Sequence, residues 1–337
     1  MLTMKASTLL ITGGSGFIGS ALIRHILDNT SHRVINFDKL TYAVNPLSLD
    51  NYQSHPNYTF IHGDICDGDQ LEATFDKHQP DYVVHLAAES HVDKSIYASS
   101  AFIQTNIIGT YQLLQCTLGY WHTLETDKQS AFRLLHISTD EVFGDLEPND
   151  APFTERSRYK PSSPYSASKA SSDHLVRAWH RTYGLPILIS NCSNNYGPYQ
   201  HAEKLIPKLI HNAYLQLPLP IYGDGQQIRD WLHVDDHAQA MLLLLEKGKV
   251  GETYCVGGEC ERANLEIVNR ICETMDGLFP NHAPHIDLIQ HVKDREGHDV
   301  RYSVNTNKIK NLGWYPSKSL EYELPYLIRH FILQTEH

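Results

Sequence analysis

No apolar run in the sequence is long enough to cross a bilayer. The densest stretch, Met241–Leu245, falls far short of the ~20 residues a spanning helix needs, so a membrane partner is not expected. Nor is there a surplus of positive charge: 28 Lys and Arg stand against 39 Asp and Glu, a net charge of −11. A chain this acidic offers no basic face to a phosphate backbone, which argues against nucleic acid as a partner. A small anionic ligand held by local arginines and backbone N–H groups is still allowed. The six cysteines (Cys66, Cys116, Cys192, Cys255, Cys260, Cys272) form no Cys-x-x-Cys pair and no repeating framework, a usage that suits a reducing cytoplasm. The start of the chain lacks the charged region, apolar stretch and cleavage site of a secretory leader, so none is expected. Among 21 histidines there is no His-Glu-x-x-His arrangement and no obvious ligand cluster, so no metal is expected. Internal repeats, low-complexity segments and interdomain linkers are also missing.

What is present is a chain of 337 residues, 41% hydrophobic and 20% charged, enough for two lobes around a continuous core. Short β-rich runs at Thr8–Thr12, Arg33–Phe37, Tyr58–His62, Tyr82–Leu86, Arg133–Ser138 and Pro186–Asn191 alternate with helical patterns such as Phe17–Leu27 and Ala101–Leu114. That alternation predicts an α/β fold, a doubly wound parallel sheet of the Rossmann type. After Asn191, turns at Gly197-Pro198, Pro207, Pro218, Pro220 and Gly223-Asp224-Gly225 break the pattern. The expected organisation is a dinucleotide-binding domain over 1–190, with a return segment near 228–258, interleaved with a smaller mixed α/β substrate lobe over 191–337. The helix of that return segment, Val234–Leu245, opens on Asp235-Asp236.

Directly after the first strand comes Thr12-Gly13-Gly14-Ser15-Gly16-Phe17-Ile18-Gly19, and a helix pattern follows at once. Glycines there let the backbone approach a pyrophosphate whose charge meets the helix N-terminus, which makes Gly13, Gly16, Phe17, Ile18 and Gly19 candidate cofactor contacts. Asp38 ends the second strand at the separation where a carboxylate can accept from a ribose diol. Its charge would repel a 2′-phosphate, so the expected cofactor is NAD rather than NADP. Asp64 with Ile65, after the third strand, and Ala87-Ala88, after the fourth, fall at strand carboxyl ends where such a sheet holds adenine and the nicotinamide ribose.

Tyr165 and Lys169 stand four apart in a helical pattern and so share a face. A phenol near an ammonium and a positive nicotinamide ring is expected to ionise more readily and serve as a base.

The glycine motif together with Tyr-x-x-x-Lys resembles the extended short-chain dehydrogenase/reductase family over most of the chain. Within it, Thr139-Asp140-Glu141-Val142-Phe143-Gly144 is similar to the T-D-E-V-Y-G segment of the dTDP-glucose 4,6-dehydratases. Leu86–Asp93, Asn191–Pro198 and Ile228–Trp231 are similar to further segments of that subfamily. The resemblance implies that a nucleoside-diphosphate glucose, with dTDP-glucose the expected substrate, is oxidised at C4, loses water across C5–C6 and regains hydride at C6. By the same resemblance Tyr165 takes the hydroxyl proton, Lys169 steadies tyrosine and ribose, Thr139 binds the hydroxyl, Glu141 is the base at C5 and Asp140 the acid at C6. Adjacent residues on a strand point to opposite faces, so the pair can act together only if the strand ends by Asp140.

The resemblance further implies Arg229 and Arg295 at the substrate pyrophosphate, Asn194 and Asn264 as amide donors, Glu203 and Lys204 near the base, and Tyr222 near the nucleoside. Ser90 and His298 also fall on the substrate side, and the helices near Ala101–Leu114 and Pro164–Tyr183 imply a homodimer. Three departures accompany it: Phe143 in place of tyrosine, Val44 in place of glycine, and a short loop after Asp145. A sugar-nucleotide 4-epimerase and a non-enzymatic NAD-sensing protein are the alternative readings.

Overall fold

The computed structural model describes residues 6–294 and 297–335. Arg295, assigned above to a pyrophosphate, lies outside the described residues.

The larger sheet has seven strands in the order β10-β6-β5-β4-β1-β2-β3. These are β1 (Thr8–Thr12), β2 (Arg33–Asp38), β3 (Tyr58–His62), β4 (Tyr82–His85), β5 (Arg133–Thr139), β6 (Ile187–Cys192) and β10 (Thr253–Val256). Every neighbouring pair is parallel. The central strands have few exposed positions because helices cover both faces, and accordingly they read as near-continuous apolar and β-branched runs. One face packs on helices Phe17–Asn29 and Val234–Lys247, through Leu22, Ile26, Met241 and Leu244. The other packs on Gly68–His78, Thr110–Thr123 and Pro164–Tyr183, through Leu71, Phe75, Leu113 and Val176. Full burial of one such aliphatic side chain contributes about 1.5–3 kcal/mol. The strand order reverses between β1 and β4, and at such a switch point the loops diverge and leave a crevice at the strand carboxyl ends.

The smaller sheets comprise β7 (Asn194–Tyr196), β9 (Ile228–His233) and β11 (Glu261–Ala263), and separately β8 (Leu219–Tyr222) and β12 (Ile289–Val292). Helices Leu205–Tyr214, Asn264–Leu278 and Leu320–Thr335 enclose a second core around Tyr196, Leu209, Trp231, Ile271 and Leu327.

Three local expectations are corrected. The fourth strand ends at His85, one residue before the Tyr82–Leu86 boundary. The helix expected over Ala101–Leu114 is composite: Ser99–Phe102 is α-helical, Ile103–Gly109 widens into a π-helical turn, and Thr110–Thr123 resumes the α-helix. At the wide turn the buried Asn106 side chain reaches out of the helix, accepting from Glu89 N and donating to Glu89 O and Ser168 Oγ. β10 was not distinguished within the return segment, because a four-residue apolar run carries no period of its own.

The 20-residue helix Pro164–Tyr183 is strongly bounded. Ser163 and Ser166 form a reciprocal capping box, Pro164 occupies the first turn, and Gly184 closes the helix at φ +77°. Its buried face carries Tyr165, Lys169, Asp173 and Val176.

Candidate active site

A cleft of about 300 Å³ opens at the switch point. At one end the chain leaves β1 through Gly13, whose φ is +72° and where an added Cβ would lie 2.5 Å from Ala87 N. Gly19 is equally confined, since a Cβ there would sit 2.3 Å from Gly13 O. The helix that follows has no side-chain cap at Gly16. Its first N–H groups are therefore available to an anion. Asp38 closes this end, its carboxylate accepting from Ser15 N at 2.9 Å and Leu40 N at 2.8 Å. Burial raises its pKa, and those two backbone donors oppose the rise. Gly16, Phe17, Ile18, Asp64, Ile65, Ala87 and Ala88 line the same space. Close backbone approach, an uncapped helix start and a terminal carboxylate fit a dinucleotide with a free ribose diol.

At the other end β5 stops at Thr139 and the chain turns into a 3-10 helix over Asp140–Phe143, the bend that the acidic pair requires. Thr139 Oγ1 accepts from Glu141 N at 3.2 Å and lies 3.3 Å from Asp140 Oδ1 as donor. Thr139, Glu141, Tyr165 and Lys169 line the cleft, whereas Asp140 is buried beside it and does not. The environment drives the two carboxyls into different situations. Burial, then the charges of Glu141 and Asp230, hold the Asp140 carboxyl well above the carboxylate range, against Arg229. Among the described residues, Asp140 Oδ2 is buried without a hydrogen-bond partner.

The phenol departs from expectation. Burial, followed by the Glu141 charge, pushes Tyr165 well above its ordinary value, and Lys169 does not offset this. The ammonium instead donates to Ile137 O at 2.7 Å, and burial lowers its pKa against the pull of Asp173. A buried phenol facing a carboxylate needs additional positive charge to ionise.

Ser90, Asn194, Glu203 and Lys204 line the cleft on its outer side. Glu203 Oε2 lies 3.3 Å from His91 Nε2 and 3.4 Å from Lys94 Nζ, while Lys204 Nζ donates to Ser90 O at 3.4 Å. Tyr222, Arg229, Asn264 and His298 do not line it. Tyr222 and His298 meet edge to face at 6.2 Å, and Asn264 opens a helix. Arg229 is buried, donating to the carbonyls of Ile228 and Asp299 and lying over the Tyr302 ring at 4.3 Å. Phe143 stacks on Phe153 and meets Tyr159 edge-on in an apolar cluster, a site with no call for a tyrosine hydroxyl. Tyr42, Cys192, Asn195 and His201 also line the cleft. None is singled out by the sequence reading, although Cys192 directly follows the predicted strand Pro186–Asn191 and ends the observed β6, a strand carboxyl end that was a usable signal.

A family profile described as GDP-mannose 4,6 dehydratase matches residues 10–324. The chain is 58% identical over 332 residues to the dTDP-glucose 4,6-dehydratase of Haemophilus influenzae, covering 97% of this chain and 98% of that one. Among solved structures, the dTDP-glucose 4,6-dehydratase DesIV of Streptomyces venezuelae, crystallised with NAD, superposes with a TM-score of 0.89 at 41% identity, covering 98% of each chain. A UDP-glucose 4-epimerase of Thermotoga maritima superposes at 0.85 with 27% identity, covering 97% of this chain and 99% of its own.

Proposed function

The chain belongs to the dTDP-glucose 4,6-dehydratases within the family of the GDP-mannose 4,6 dehydratase profile, and from that membership we propose which of its residues carry the reaction. The activity is hydro-lyase conversion of dTDP-glucose to its 4-keto-6-deoxy derivative. Bound NAD supplies the hydride acceptor at C4 and the donor at C6. Gly13, Gly16, Phe17, Ile18, Gly19, Asp38, Asp64, Ile65, Ala87 and Ala88 hold it.

Thr139 and Tyr165 bind the C4 hydroxyl, and Tyr165 accepts its proton. Lys169, anchored on Ile137 O, orients the phenol and the ribose. With C4 a ketone, the C5 hydrogen becomes acidic and the Glu141 carboxylate removes it. Asp140, kept protonated by its surroundings, gives its proton to the departing C6 hydroxyl. The observation that carries this assignment is the divergence of the two neighbouring carboxyls: Glu141 lines the cleft with Tyr165, whereas Asp140 is buried beside it, where burial and the Glu141 charge raise its carboxyl. A 4-epimerase has use for Tyr165 and Lys169 but none for such a pair.

Ser90, Asn194, Glu203 and Lys204 belong to the substrate side of the cleft. Tyr222, Arg229, Asn264, Arg295 and His298 are assigned to the nucleoside-diphosphate end on family resemblance. The division into a dinucleotide domain over 1–190, its return segment and a substrate lobe over 191–337 is part of the same reading. So is a cytoplasmic location, which the six free thiols suit. Turnover of dTDP-glucose in deuterium oxide should yield dTDP-4-keto-6-deoxyglucose carrying solvent deuterium at C5. Accumulation of dTDP-galactose instead would overturn the dehydratase assignment.

We also propose a homodimer through the helices near Ala101–Leu114 and Pro164–Tyr183. On or next to these segments Tyr97, Ile103, Ile108, Tyr111 and Tyr183 are exposed, Tyr97 at 89%. Light scattering should return twice the 38.3 kDa chain mass, and a monomer at assay concentration would refute it.

A further inference from the structure

The helix that bears Tyr165 and Lys169 carries a third buried ionisable residue to which the reaction above gives no task. Asp173 lies one turn beyond Lys169 on the same buried face and is fully inaccessible. Its Oδ1 faces His136 Nε2 on β5 at 3.1 Å. Its Oδ2 accepts from the Tyr159 hydroxyl at 2.6 Å and the Asn191 amide on β6 at 3.2 Å. That same amide donates to Thr139 O at 3.0 Å. Asp173 is therefore two hydrogen bonds from the point where β5 turns into Asp140 and Glu141. Arg177, a further turn along, supports the arrangement from behind by donating to Tyr159 Oη at 2.7 Å and Thr253 Oγ1 at 3.1 Å.

The charges around it are few and identifiable. Burial alone would raise the Asp173 carboxyl, but the hydrogen bond with His136, then the Lys169 charge and the Tyr159 hydrogen bond, hold it down at about 2. Burial drives His136 down to about 4 and His85 well below its ordinary value, so both imidazoles are neutral at physiological pH. Burial pushes the Tyr159 hydroxyl up and the Cys192 thiol up to about 12, so neither competes as an anion. The side chains of opposite charge that meet here are Asp173 on one side and Lys169 and Arg177 on the other.

We propose that Asp173 is a positioning residue of the active site: its carboxylate ties the helix of Tyr165 and Lys169 to the ends of β5 and β6, and serves as counter-charge to the buried Lys169 ammonium. The inference rests on the roles assigned above to Tyr165 and Lys169. A satisfied buried anion at a junction of three elements costs more to remove than a surface pair, because its donors are left facing one another.

Asp173→Asn preserves shape and removes the charge, and His136 can change tautomer to accept from the new amide. The expected result is a folded protein whose kcat falls on the order of 10²-fold, with KM for dTDP-glucose within about twofold of wild type. The alkaline limb of its kcat–pH profile should move to lower pH, since a lysine without its counter-charge loses its proton more easily. Asp173→Glu, which keeps the charge, should return that limb to its wild-type position even if kcat stays reduced. An unmoved limb and unchanged kcat in folded Asp173→Asn would overturn the proposal, as would an effect confined to KM or to the melting temperature. Should that variant be insoluble, Tyr159→Phe decides: loss of one donor to the carboxylate should lower kcat about tenfold, and an unchanged kcat sinks the idea. Wild-type product formation tests the dehydratase assignment, whereas the ratio of variant to wild type tests Asp173, so the two can fail independently.

Discussion

Replacing Glu141 by Gln is expected to reduce formation of the 4-keto-6-deoxy product by about 10²–10⁴-fold while substrate affinity changes by no more than about twofold. The amide keeps the size of the carboxylate and its place on the 3-10 turn but cannot accept the C5 proton. Oxidation at C4 depends on Tyr165 and Lys169, so absorbance of the reduced nicotinamide should still appear on mixing with dTDP-glucose. Solvent deuterium at C5 should not. The substitution should also relieve Asp140, because the Glu141 charge is the second influence holding that carboxyl up. Full product formation by this variant would remove Glu141 from its role as base.

Tyr165→Phe should be as damaging, by about 10²–10⁴-fold, but at an earlier point. Without the hydroxyl the C4 proton has no acceptor, no ketone forms, and the C5 hydrogen never becomes acidic. Reduced nicotinamide, C5 exchange and product should therefore vanish together. The fold should tolerate the change, because the ring is buried and meets Phe102 edge-on at 6.3 Å through its apolar part. NAD binding should persist, since Gly13 and Asp38 lie at the opposite end of the cleft. C5 exchange in this variant would show that ketone formation does not need the phenol. The pair of variants thus orders the two proton transfers.

Six of the seven strands of the larger sheet, all but β10, are legible because each is a short β-rich run punctuated by turn residues. The nucleotide end was legible because its geometry needs glycine where Gly13 and Gly19 stand. The helix Pro164–Tyr183 follows from resemblance, and Pro164 in its first turn and Gly184 at its end fit that extent. Asp140 and Glu141 follow from resemblance, and the alternation of side chains along a strand requires the bend that lets them act together. What escaped notice depends on contacts distant in the sequence. Nothing near Asn106 announces a π-helical turn, because its partners Glu89 and Ser168 come from other elements. The elevation of Tyr165 reflects burial and an approaching carboxylate, neither of which local spacing contains. Arg229 looks like a surface cation from its neighbours in sequence, yet its guanidinium is taken up by the Ile228 and Asp299 carbonyls. Asp173 was passed over for the same reason: its partners sit on β5, β6 and the segment before the helix.

β10 reaches the large sheet only after the chain has left it to build β7, β8 and β9. Until residues 253–256 emerge from the ribosome, β6, paired with β5 on one side, presents its other edge unpaired to solvent. Synthesis therefore passes through an interval in which the nucleotide-binding half is nearly built and its sticky edge is open. A fragment stopping near residue 190 should inherit that open edge permanently and tend to aggregate, and maturation of the whole chain must wait for a contact between distant parts of the polypeptide.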